Sequence, residues 1–155
     1  MKKIILLVAF MATVLGQNTF ALTHDTSALL DKYFAVKNAL VTGNAELAST
    51  AASDFSKEVT AAESNMISAE IRSALLKDAE NISQSKDIKK QREYFKAFSD
   101  HLTQLAKTTS LSNDPIYLAY CPMVKANWLS NSPAIKNPYY GNAMLTCGKV
   151  VETIK

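Results

Sequence analysis

Hydrophobic residues recur at helical spacing through the N-terminal and central parts of the chain. Leu29, Tyr33, Val36 and Leu40 fall at i, i+4, i+7 and i+11, flanked by Leu30 and Phe34, and predict an amphipathic helix. Gly43-Asn44 ends that pattern and starts the next, a thinner stripe of Leu47, Ala51, Phe55, Val59 and Ala62. Ser64-Asn65 is the following break. Ile67, Ile71, Ala74, Leu75 and Ile82 form a third stripe, which stops at Ser83-Gln84-Ser85. In the fourth, Ile88, Phe95 and Leu102 recur every seven residues with Phe98 and Leu105 between them, the seam spacing of a helical bundle. Short links between the stripes predict an all-α fold, an up-down antiparallel four-helix bundle. Lys57, Glu58, Lys77, Asp78, Lys89 and Lys90 lie off the stripes and are expected on a solvated surface.

The pattern breaks at Ser112-Asn113-Asp114-Pro115, a turn signal. Residues 110–155 hold all four prolines, both cysteines and the single Trp, and are expected to form an irregular C-terminal segment of the same domain. Ile116 to Tyr120 and Lys149 to Ile154 read as short strands. Paired as a small two-stranded hairpin, they would bring Cys121 and Cys147 together.

A different apolar run opens the chain. Lys2 and Lys3 precede Ile4 to Leu15, then Gly16-Gln17-Asn18 and Thr19-Phe20-Ala21. This is the layout of a secretory signal peptide over residues 1–21, too short an apolar run for a membrane span, with cleavage after Ala21. A single domain over residues 22–155 would remain, without a stable membrane anchor, in a bacterial periplasm where disulfides are permitted. Of the 17 Lys and Arg, against 14 Asp and Glu, the leader holds Lys2 and Lys3, so the net charge of +3 falls to +1. That charge carries no basic stripe for nucleic acid. Four glycines include no phosphate-cradling loop. Two histidines, no His-Glu-x-x-His string and no Cys-x-x-Cys argue against an enzyme.

Chemistry concentrates where the helical pattern ends. Cys121 and Met123 stand two apart, Met144 and Cys147 three apart. Thiolate and thioether are soft ligands, a set that selects Cu(I) or Ag(I) over Mg²⁺ or Ca²⁺. His24 and His101 are further donors in principle, with nothing to place them nearby. On spacing alone the same cysteines read more simply as a disulfide, which would close a loop of about 26 residues for roughly 3–4 kcal/mol. In that case the chain is a non-catalytic helical interaction module, with Trp128, Tyr139 and Tyr140 as exposed partner contacts. Thiolate ligands and a disulfide exclude one another at any instant.

Tyr120-Cys121-Pro122-Met123, Trp128-Leu129, Asn137-Pro138-Tyr139-Tyr140-Gly141 and Met144-Leu145-Thr146-Cys147-Gly148 occur in that order. From about residue 25 onward the chain resembles a bacterial exported domain-of-unknown-function family. Its members stand alone or sit at the C-terminus of periplasmic adaptors of copper/silver efflux pumps. The resemblance implies heavy-metal handling, with Cys121, Met123, Met144 and Cys147 at the matching positions. It also implies an efflux adaptor or pump component as partner. The expected function is periplasmic Cu(I)/Ag(I) binding, buffering the ion or delivering it to an efflux system.

Overall fold

The computed structural model describes residues 26–155; the expected signal peptide and His24 lie outside them. Four helices come first: α1 (Thr26–Thr42), α2 (Ala45–Ala61), α3 (Ala69–Gln84) and α4 (Ile88–Thr108). Each starts or stops where local chemistry requires it. At the end of α1, Gly43 adopts φ 73°. Its N–H reaches the Leu40 carbonyl at 3.2 Å while the Asn44 N–H reaches that of Ala39 at 3.0 Å, the paired closure of a Schellman ending. Asn44, Ser68 and Asp87 then cap α2, α3 and α4, their side-chain oxygens accepting from backbone N–H groups of the first turn.

Each helix packs mainly on its neighbour in sequence, α1 on α2, α2 on α3 and α3 on α4. An aromatic cluster fills the centre. Tyr33 of α1 stacks on Phe95 of α4 with centroids 5.5 Å apart, and Phe55 of α2 meets Phe98 edge-on at 4.6 Å. Buried Gln91 joins three elements, its amide donating to the carbonyls of Ala45, Ile82 and Ser85. Asp78, expected at the surface, is instead buried, because His101 of α4 binds its carboxylate through Nδ1 at 2.6 Å across the α3–α4 contact. Among the described residues no helix is long and apolar enough to cross a membrane.

The C-terminal segment corrects the expectation of an all-α chain with a two-stranded hairpin. It forms a three-stranded antiparallel sheet of β1 (Ile116–Cys121), β2 (Ala126–Ser130) and β3 (Lys149–Ile154), in the order β2-β1-β3. The β1–β3 pair was expected, and β2 is the addition. A 3-10 turn, Gly141–Met144, lies in the long connection between β2 and β3. The sheet docks through β2 on α4, and Lys107 reaches Glu152 of β3 at 2.6 Å. The outer edge of β2 is not left open. The Leu129 N–H donates to the Tyr33 hydroxyl at 3.0 Å, and the Tyr139 hydroxyl donates to the Asn127 carbonyl.

Candidate functional site: a thiol pair at the end of the sheet

Cys121 is the last residue of β1 and Cys147 lies two residues before β3. The β1–β3 register, Tyr120 opposite Lys149, therefore brings them to one end of the sheet. Their Sγ atoms are 4.0 Å apart and unbonded, with Cys121 buried and Cys147 half-buried. A disulfide needs about 2.05 Å, so these are two thiols side by side.

Two residues shape this corner. Gly148 has φ 145°, and a Cβ there would lie 2.7 Å from the Trp128 ring and 2.9 Å from the Tyr120 carbonyl. Only glycine lets the chain turn beneath Trp128 immediately after Cys147. Asn137 is the second. It is fully buried, its Nδ2 donating to the Cys147 carbonyl at 2.7 Å and its Oδ1 accepting from the N–H groups of Tyr139 and Tyr140. Its own N–H donates to the Leu145 carbonyl at 2.8 Å. The Asn-Pro-Tyr-Tyr-Gly turn is thereby locked to the segment that carries Cys147.

The two thiols are not equivalent. Burial pushes the Cys121 thiol up. That effect is outweighed by hydrogen bonds to its sulfur from the Val124 N–H, the Asn137 amide, the Met123 N–H and Cys147, and its pKa ends below the ordinary cysteine value. Cys147 moves the opposite way, raised by desolvation and by the neighbouring Cys121. Cys121 ionises first, and Cys147 keeps its proton and donates to it. Replacing Asn137 by alanine is expected to move the first step of the thiolate absorbance titration to higher pH, with a stability loss of about 1–3 kcal/mol. An unchanged first step would show that the amide does not steady the thiolate.

Of the four residues expected to act together, the structure brings the two cysteines into contact. Met123 is in the β1–β2 turn with 61% of its surface exposed, and Met144 is half-buried at the end of the 3-10 turn. Met144 shares a turn with Cys147, whose N–H donates to its carbonyl at 3.1 Å. His101 is engaged with Asp78 on the helices. Among the described residues no three His, Cys, Asp or Glu side chains gather as a metal cage, so a bound ion here would depend on thiols and thioethers. Trp128 and Tyr139 are buried, which corrects their expected place on an exposed contact face; Tyr140 is half-buried. Asn137 offers no ligand chemistry of its own, and within the Asn-Pro-Tyr-Tyr-Gly string its sequence signal is that of a turn.

Neither a curated protein nor a solved structure matches the chain. Residues 29–114 match the family described as "Protein of unknown function (DUF3347)". The matched span takes in nearly all of the helical scaffold and ends before β1, so the motif residues from Tyr120 to Gly148 lie beyond it. That span is more than half of the sequence, and the chain belongs to this family of proteins of unknown function.

Proposed function

We propose that this is an exported bacterial protein that binds a soft monovalent metal ion, Cu(I) or Ag(I), in the periplasm. It buffers the ion or delivers it to an efflux adaptor or pump component, and it is not an enzyme. The observation that carries the reading is the unbonded thiol pair at 4.0 Å with one member inclined to ionise. Metal–thiolate bonds of about 2.3 Å, the zinc value, separate two sulfurs by about 3.8 Å in tetrahedral geometry and about 4.6 Å in linear geometry. The observed spacing lies between these limits. Cys121 and Cys147 would be the principal ligands, with Met123 and Met144 adding thioethers from adjacent turns and the helices, read as an up-down bundle, serving as scaffold.

The reduced protein is expected to withdraw Cu(I) from a coloured chelator, and the Cys121→Ser/Cys147→Ser variant to lose that capacity. Replacing Met123 and Met144 by leucine should weaken competition by about tenfold, the scale of a lost supporting contact at a metal site. Failure of the reduced wild type to compete would end the metal reading. The same 4.0 Å approach favours one other function, an interaction module stapled by a Cys121–Cys147 disulfide. Thiol counting on protein isolated without reductant separates the two, since the stapled form offers no reactive thiol.

A further inference from the structure

A cleft of about 370 Å³ lies where the start of α4 meets the C-terminal segment. Lys89, Arg92 and Lys96 line it at i, i+3 and i+7, one face of the helix. Glu93 is the one carboxylate in the lining, against three cations. The opposite wall is apolar and aromatic, built from Val124, Tyr139, Tyr140 and Ala143. None of the three cations has an ion-pair partner among the described residues. Arg92 is committed on one side only. Its Nη2 donates to the Leu40 carbonyl at 2.8 Å, while its Nε is buried without a hydrogen-bond partner.

We propose that this cleft binds a small organic dianion with an apolar or aromatic body, such as an aromatic dicarboxylate. The net charge of the lining sets the ligand's charge. The aromatic wall calls for a body that inorganic anions lack, and the volume suits a small molecule. The site is separate from the thiol pair but lies near it: Val124, three residues after Cys121 in the β1–β2 turn, forms part of the cleft wall.

Phthalate titrated into isotope-labelled protein tests the proposal, with backbone amide shifts as the readout and no metal present. Saturable shifts are expected at Val124 and from Tyr139 to Ala143, with a dissociation constant of about 1 mM or tighter. Benzyl alcohol and inorganic phosphate should leave those amides in place. The Lys89→Gln/Lys96→Gln variant should bind phthalate about tenfold more weakly, two partly screened charges having been lost. Lys86→Gln/Lys90→Gln, which removes equal charge outside the cleft, should bind as the wild type does. Absence of saturation, an equal response to phosphate, or equal weakening in both variants would overturn the proposal.

Discussion

Replacing Trp128 by alanine is expected to destabilise the protein by about 3–5 kcal/mol, the cost of emptying a large buried aromatic site. Trp128 is among the largest fully buried side chains, at 1% exposure, and it links the thiol corner to the aromatic residues that rest on α4. On one side its ring covers Gly148 at the foot of the thiol corner. On another it meets Tyr139 edge-on at 6.2 Å, and Tyr139 in turn rests on Phe95 of α4 at 5.7 Å. Removing the indole breaks this relay from the thiol corner to the helical core. For a domain of this size the loss should lower the melting temperature by about 10–20 °C. Thermal unfolding followed by circular dichroism would show it. A shift of only about 2 °C would mean that the sheet contributes little to the cooperative core.

The second large effect has the opposite sign. Lys37 of α1 is 3% exposed, lies 5.8 Å above the Phe34 ring and has no carboxylate partner among the described residues. Desolvation, reinforced by the charge of Lys136, pushes its pKa down from 10.5 to about 8. Below that value the folded chain holds a buried ammonium, a cost of about 3 kcal/mol that is fully present at neutral pH. Between about 8 and 10.5 the unfolded chain holds a proton that the folded one has released, so stability rises with pH across that window. The rise is overtaken near the top. Burial holds the Tyr33 and Tyr139 hydroxyls protonated in the fold well above the ordinary tyrosine value of 10.0, and ionisation in the unfolded chain then lowers stability. Lys37→Met keeps the apolar stem and removes the charge. Allowing for the lost cation–π contact, it should gain about 2–3 kcal/mol at pH ~7 and flatten the rise above pH ~8. Denaturant unfolding at neutral and mildly alkaline pH measures both. A variant no more stable than the wild type at neutral pH would show that the ammonium is hydrated after all.

The helices were legible because each buries most of a stripe of fixed period, Leu47 at the start of α2 being the exposed exception, and ends in its own punctuation, as at Gly43-Asn44 and at Ser83-Gln84-Ser85. β1 and β3 were legible as short runs, and their pairing foretold that Cys121 and Cys147 would meet. β2 was not. Trp128, Leu129 and Ser130 are buried one after another, since α4 covers the strand and tyrosines close its edge, and no alternation survives to be read. Lys37 and Asp78 carry charge where a sequence suggests solvent; Asp78 is met by His101 of a distant helix, whereas Lys37 is buried without a carboxylate partner among the described residues. The sulfur motif shows the same limit. Spacing grouped Met123 with Cys121, but a turn residue two positions on faces outward as readily as inward, and Met123 is exposed.

The two tyrosine hydroxyls on the edge of β2 bear on the order of folding. The bond from Leu129 to Tyr33 closes across 96 positions, whereas that from Tyr139 to Asn127 closes across 12. Loop-closure entropy makes the short link cheap and the long one slow. The sheet can assemble its own turn early, but its edge is sealed only when the first helix is already in place beside α4. Any intermediate with α1 undocked carries an unsealed β2 edge, open to pairing with another chain.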